Sequence, residues 1–273
     1  MDPVEPTLMT ESSFSQGFAR SGSSAVVAHR GASTQEAENT MAAFELAVGA
    51  GADVVEFDVR MTGDGHAVVI HDPDVARTTD GVGLVRHRSL AEVRALRIVL
   101  RDGSEASVPT LQEVLTACSG RVAVDIEIKN IPGEPDFDPQ TEAAVEAVLR
   151  SLDLVGFTGE VLISSFNPLS LARAKQLAPS MATGLLTVDS VEATVSLAYA
   201  REEGHDWILP SVASVRAAGP GFPREVHGAE MRLGTWIVDD PREAVALMRT
   251  GVDAVATNDP ASIVAARRSA GLA

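Results

Sequence analysis

From Ala25 onward the chain alternates short β-branched apolar runs with stretches of helical periodicity, and no other feature of the sequence restricts its fold as much. Strand and helix taken in turn are the pattern of βα units, which build a parallel sheet covered by helices. The run at 53–58 is near-continuously apolar between its acids, as a strand covered on both faces requires. With a reverse arm at 67–70 set aside, eight strands remain, and residues 25–273 have the usual size of an eight-stranded barrel. The sequence therefore predicts an α/β fold, a TIM (β/α)8 barrel.

After the first strand, Asn39-Thr40 supplies a helix N-cap, Phe44, Ala47 and Val48 fall on one helix face, and Gly49 to Gly51 stops the helix. Thr62-Gly63-Asp64-Gly65 is a turn signal, so short that the arm at 67–70 must run antiparallel to the strand before it. If Met61 pairs with His66 across this turn, Glu56 comes opposite His71 on one face; a slip of one residue would part them. Residues 73–107 read as an irregular insertion over the rim, with one short helix at 89–96 capped by Ser89. Pro109-Thr110 opens a helix at 111–118, and 122–129 is a strand. The loop 131–139, rich in Pro, Gly and Asp, is long enough for a lid or an active-site wall. Beyond it, strands are expected at 160–165, 182–188, 206–210, 233–238 and 254–257. Helices are expected at 141–152, 169–177, 191–203, 241–249 and 261–268, and a short one near 224–229 after a glycine- and proline-rich loop. Gly51-Ala52-Asp53-Val54-Val55 is echoed by Gly251-Val252-Asp253-Ala254-Val255, each a helix-ending glycine leading into a strand.

Four polar clusters close four of the apolar runs: Ala28-His29-Arg30-Gly31, Glu56-Phe57-Asp58, His71-Asp72 and Glu127-Ile128-Lys129. In a parallel α/β sheet the carboxyl ends of the strands converge on one rim, so the four can meet in space. Glu56 and Asp58 stand two apart on a strand and point the same way. With Glu127 they make either a site for a hard divalent cation or a set of ordinary rim carboxylates; burying such acids without partners is costly. His29 and His71 end strands too, and imidazole suits proton transfer near neutrality. Lys129, in a chain that takes nearly all its positive charge from arginine, faces the side of Glu127, where it could neutralise a phosphoryl oxygen or pair with the acids. Arg30 offers a planar fork that fits a phosphate. Phe166 and Trp236 each read as pocket wall or core.

The formal charge of −16 argues against a nucleic-acid partner, which needs a basic footprint. Cys118, the single cysteine, excludes a disulfide framework. Residues 1–24 begin acidic and are rich in Ser, Pro and Gly, which reads as a flexible leader, neither signal peptide nor membrane anchor, ahead of a single barrel domain at 25–273. A cytoplasmic protein is the expectation.

The set His29-Arg30-Gly31, Glu38-Asn39-Thr40, Glu56-x-Asp58, His71-Asp72, Val108-Pro109-Thr110-Leu111, Glu127-x-Lys129, Ser165-Phe166 and Trp236 resembles the glycerophosphodiester phosphodiesterase family, from about Val26 to Pro260. The resemblance implies a barrel with a small insertion after the second catalytic histidine. It implies metal-dependent hydrolysis of a small-molecule glycerophosphodiester to glycerol 3-phosphate and an alcohol. By the same resemblance Glu56, Asp58 and Glu127 are metal ligands for magnesium or calcium, and His29 and His71 are the acid–base pair. Arg30 and Lys129 bind phosphate, Phe166 and Trp236 line the substrate pocket, and Glu38 and Asn39 orient their neighbours. Ala37 departs from the proline usual before Glu-Asn-Thr, which should loosen that loop slightly. Two rivals remain at this point: a lyase of the same fold that releases a cyclic phosphate, and a non-catalytic phosphodiester-binding module. A glycosidase built on Glu56 and Asp58 is weaker, having no need of Lys129.

Overall fold

The computed structural model describes residues 23–272, so the expected leader lies outside the described residues up to residue 22. Strands β1 (Ala25–His29), β2 (Val54–Met61), β6 (Ala123–Ile128), β7 (Val161–Ser165), β8 (Ala182–Thr187), β9 (Trp207–Pro210), β10 (Arg232–Thr235) and β11 (Ala254–Thr257) pair in parallel in that order. Closure comes from β11 returning to β1 through Ala25↔Ala254 to Ala28↔Thr257, which completes the expected eight-stranded barrel. The antiparallel arm β3 (Ala67–Val69) is added to β2, and a two-stranded hairpin, β4 (Ile98–Val99) with β5 (Glu105–Ala106), lies in the insertion.

Helices α1 (Met41–Ala50), α3 (Leu111–Cys118), α4 (Ala143–Val155), α5 (Pro168–Leu177), α6 (Ala193–Glu202), α9 (Pro241–Thr250) and α10 (Pro260–Ser269) follow barrel strands, and α2 (Leu90–Arg94) belongs to the insertion. Between β9 and β10 stand two helices, α7 (Val212–Ala218) and α8 (Phe222–Gly228). Only the second was expected. The first was hidden because Gly219, Pro220 and Gly221 made the whole stretch read as loop, whereas Ser211 caps it and Gly219 ends it.

Period-two alternation sets the packing. Val26, Ala28, Val55, Phe57, Ile126 and Ile163 face the helices in the main core. Their neighbours Val27, Val54, Leu162, Trp207 and Leu209 fill the lower barrel. The insertion has a small core of its own, with Val68, Ile70, Val75, Val85, Val93 and Leu96 among its members. It is thus a packed element rather than a slack loop.

The echo at Gly51 and Gly251 acquires a physical reason and a third member. Gly51, Gly204 and Gly251 all take positive φ, and the aspartate two residues after each accepts an N–H from the preceding barrel strand. Asp53 takes Val26 N at 2.8 Å, Asp206 takes Thr183 N at 2.9 Å, and Asp253 takes Leu233 N at 2.9 Å. Each carboxylate has a cation beside it, Arg267, Lys175 and Arg232 in turn, and His227 Nε2 lies 2.8 Å from Asp253. The device satisfies amides at the lower rim, away from the site.

One expectation about register is corrected. Met61 pairs with Ala67, not His66, because the turn takes five residues, closed by Thr62 N to His66 O at 2.9 Å. An ideal ladder in this register would turn His71 from Glu56. The ladder stops first: its last bond is Ile70 N to Asp58 O at 3.0 Å, and the bend at 71–73 then aims His71 into the same pocket as Glu56.

Among the described residues no helix is long and apolar enough to cross a membrane.

Candidate active site

β2 is longer than its neighbour β1, and that mismatch builds the site. Along one edge its lower half pairs with β1, up to His29↔Glu56, and its upper half pairs with β3, which descends to Val59↔Val69. β1 rising and β3 falling therefore end head to head on the same edge of β2. His29 and His71 meet there over the carboxylates of Glu56 and Asp58.

Glu56, Asp58 and Glu127 are buried, and one carboxylate oxygen from each lies within 4.8 Å of the others. β6 supplies Glu127 in the register Asp58↔Glu127. Glu56 Oε1 and Asp58 Oδ1 are buried and receive no hydrogen bond. Lys129 Nζ stands 3.4 Å from Asp58 Oδ1, an ion-pair distance without hydrogen-bond geometry, and 2.7 Å from Glu127 Oε1. Orphaned oxygens in an all-carboxylate cluster fit a hard divalent cation, which would supply the missing partner.

The local electrostatics agree. Burial, with Asp58 and Glu127 adding, pushes Glu56 well above the usual carboxylate range. Burial would raise Asp58 as well, but Lys129 and Arg30 outweigh it and hold Asp58 below its ordinary value. Burial also raises Glu127, against the pull of Lys129. A fourth acid, Asp125, faces the same cavity one layer down, donated a bond by Ser164 Oγ at 2.7 Å; burial pushes it up to about 7. Sequence reading passed over Asp125, although its spacing of two from Glu127 carries the signal.

Arg30 sits at φ 57, in the left-handed region that a non-glycine residue rarely enters. The conformation aims its backbone N–H at Glu56 Oε2, 2.8 Å away, while its side chain reaches Glu38 at 3.0 Å and Asp58 at 3.2 Å. Next to it Gly31, at φ 81, is pressed against α1: a Cβ there would lie 2.7 Å from the Ala43 carbonyl carbon. Gly31→Ala combines a left-handed alanine with a clash against backbone, and is expected to destabilise the protein by about 2–4 kcal/mol in urea unfolding. Activity should fall further than the folded fraction, since Arg30 must move with it. Asn39 also takes a left-handed turn, φ 56, and its side-chain amide donates to Asp58 Oδ2 at 2.7 Å.

The two imidazoles are held differently. His29 Nδ1 is 2.8 Å from Asn258 Oδ1, and Asn258 is fixed in turn by Asp239 through its backbone N and Nδ2. Burial, reinforced by Arg30, lowers His29 to about 4. His71 Nδ1 is 2.6 Å from a carboxylate, Asp72 Oδ1. Burial lowers His71 too, with Asp58 pulling the other way. Asp72 is gripped by Arg77, which also holds Glu38, the partner of Arg30. The insertion, through Arg77, thus links the surroundings of both His71 and Arg30. Neither Asn258 nor Arg77 was singled out from sequence; Asn258 continues the inward register of Ala254 and Ala256, which is where it could have been found.

Phe166 and Trp236 form the opposite wall, edge to face with centroids 5.5 Å apart, and Lys129 Nζ lies 5.8 Å above the Phe166 ring. Trp236 Nε1 is satisfied by Leu209 O at 2.8 Å, so the indole is fixed in place. The cavity between the walls holds about 180 Å³, polar toward β1, β2 and β6 and apolar toward Leu186, Leu209 and Ala256. All the residues expected at the site therefore converge on it or on its immediate supports, Glu38 and Asn39 being supports. Ala37 keeps an N–H that proline would lack, and it donates to Glu36 Oε1 at 2.8 Å, the same oxygen that receives Arg101 N from the insertion at 2.8 Å.

Residues 29–262 match the model of the glycerophosphoryl diester phosphodiesterase family. A glycerophosphodiester phosphodiesterase of Caldanaerobacter subterraneus subsp. tengcongensis is 34% identical over 254 residues, covering 90% of this chain and 98% of that protein. The glycerophosphodiester phosphodiesterase of Bacillus subtilis (strain 168) is 32% identical over 252 residues, 86% of this chain and 83% of that one. Among solved structures, a phosphodiesterase of Oleispira antarctica in complex with the product sn-glycerol-3-phosphate superposes with a TM-score of 0.78 at 28% identity, over 91% of this chain and 98% of that one. A protein of Silicibacter pomeroyi DSS-3 superposes with a TM-score of 0.83 at 25% identity, over 95% and 99%.

Proposed function

The chain belongs to the glycerophosphoryl diester phosphodiesterase family and is an enzyme that hydrolyses glycerophosphodiesters to glycerol 3-phosphate and an alcohol; we propose that His29 is its general base and His71 its general acid. The observation that carries this reading is the unlike backing of the two rings. Asn258 offers a neutral amide oxygen, which holds the proton on His29 Nδ1 and leaves Nε2 free to accept one. Its own orientation, set by Asp239, makes the opposite amide flip unfavourable. Asp72 offers a charge, which favours an imidazolium on His71 and so a proton to give.

From this follows a division of labour. His29 Nε2 takes the proton from the attacking water as it adds to phosphorus, and His71 protonates the oxygen of the departing alcohol. Arg30 and Lys129 bind the non-bridging phosphoryl oxygens and balance the charge that gathers on them. Glu56, Asp58 and Glu127 would hold a divalent cation, magnesium or calcium by the hardness of the donors, and when bound it would supply further charge neutralisation. Asn39 orients Asp58, and Glu38 orients Arg30. Phe166 and Trp236 exclude water from the apolar side of the substrate. We take residues 25–273 as one catalytic unit, with the insertion at about 73–107 as a wall, acting on a small diester in the cytoplasm without a nucleic-acid partner.

Phosphorus NMR of the reaction with glycerophosphocholine in oxygen-18 water tests the scheme. Glycerol 3-phosphate carrying one heavy oxygen is expected from the first turnover. A cyclic glycerol phosphate accumulating in place of the monoester would overturn hydrolysis by water and favour internal attack.

A further inference from the structure

One buried charge at the rim has no part in the scheme above. Arg60 is 2% exposed, on β2 two residues past Asp58. Its guanidinium makes five hydrogen bonds: Nε to His71 O at 2.6 Å, Nη1 to Lys129 O at 3.1 Å and to both oxygens of Asp136 at 2.9 and 2.8 Å, and Nη2 to Glu134 Oε2 at 2.7 Å. Two of the five thus go to the main-chain carbonyls of the proposed acid and of the proposed phosphate-binding lysine. Both lie just past the end of a ladder. The last bond from β2 to β3 is made by Ile70, and the bond from Lys129 N to Val59 O at 3.1 Å closes the pairing of β2 with β6. Beyond these points the sheet no longer fixes the peptide planes of His71 and Lys129, and Arg60 does.

A buried arginine among carboxylates is costly to desolvate, and an apolar residue would hold a barrel rim as well. A planar fork bonded to two functional segments at once serves another purpose, since lysine, with a point charge, could not span them. We propose that Arg60 is a positioning residue that sets the separation of His71 from Lys129, with Glu134 and Asp136 of the loop 131–139 locking its fork. The loop then acts as a brace behind the site rather than as a lid. This rests on the reading of His71 and Lys129 given above.

The test compares Arg60→Lys, which keeps the charge, with Asp136→Asn, which releases the fork from the loop side, both checked for folding by urea unfolding and assayed with saturating magnesium. Arg60→Lys is expected to lower kcat 10- to 100-fold while KM changes less than threefold, and to move the alkaline limb of the pH profile. Asp136→Asn is expected to lower kcat three- to tenfold with the same limb moved, and it decides the matter should Arg60→Lys fail to fold. In a His71→Ala background Arg60→Lys should cost clearly less than it does alone, since one of the two groups it places is gone. Lowered unfolding midpoints with kcat and pH profile unchanged, or a raised KM at unchanged kcat, would overturn the proposal. If His71→Ala itself leaves kcat intact, the acid–base reading fails instead, and the two failures are told apart.

Discussion

His29→Ala is expected to lower kcat by about two to four orders of magnitude, the usual worth of a positioned proton acceptor, with little change in KM. His71→Ala should lose as much on a natural diester. The two separate when the leaving group changes. With a p-nitrophenyl ester of glycerol phosphate the departing phenolate needs no proton, so His71→Ala should recover most of its activity while His29→Ala stays inactive. The pH profiles should divide in the same way. A base must be unprotonated, so the acidic limb belongs to His29, whose burial beside Arg30 lowers it to about 4 and extends activity toward acid. An acid must be protonated, so the alkaline limb belongs to His71 and should move to lower pH in Asp72→Asn, which removes the charge that favours the imidazolium. Equal recovery of both alanine variants on the activated ester would mean that neither histidine has a distinct role.

The sequence disclosed the barrel because its signal is local. Each strand is a short apolar run and most of the helices have a side-chain cap, as Thr40 and Thr110 show by accepting from the third residue on. It disclosed the site because strand ends are legible: Glu56, Asp58, Glu127 and Lys129 all keep the inward parity of their strands. What it could not disclose depends on partners distant along the chain. Asn258 has meaning through a ring 229 positions away, Arg77 links Asp72 to Glu38, 39 positions away, and Arg60 meets a loop 74 to 76 positions on. The one register error, at Met61, arose from a five-residue turn taken as four. It did no harm to the site because His71 lies past the ladder, where a bend and not the pleat decides direction.

Long-range polar bonds also explain why Arg30 tolerates its left-handed backbone. A strained φ persists only where its surroundings over-determine it. Here Glu56 holds the Arg30 N–H, Gly31 N bonds back to Ala28 O at 3.1 Å, and Asn39 N bonds to Arg30 O at 3.1 Å. The peptide on each side of Arg30 is thereby fixed, and the guanidinium is delivered to Asp58 and Glu38 without a search through rotamers.

Chelation is expected to abolish turnover and, more tellingly, to change how stability depends on pH. Without a cation, Glu56 lies well above its ordinary 4.5, and Asp125 lies at about 7 instead of 3.8. The folded state then holds protons that the unfolded chain has already released, between about pH 4 and pH 7. Through these two acids stability falls as pH rises across that window, and buried His29, lowered to about 4, opposes them below its ordinary 6.5. Asp58 works oppositely, its stabilisation being lost as pH falls below 3.8, outside the window. A divalent cation compensates the ionised triad, so its binding should release protons at neutral pH and flatten the slope. At a hundred times its dissociation constant it would add about 2.7 kcal/mol, or roughly 5–10 °C in Tm. Thermal unfolding at pH 5 and pH 7.5, in EDTA and in magnesium or calcium, reads all of this at once. The gain in Tm from the cation should be larger at pH 7.5, where the triad is ionised, than at pH 5. A Tm indifferent to the cation at both pH values, with activity intact after chelation, would make the three acids a structural cluster and leave Arg30 and Lys129 to bind the phosphodiester alone.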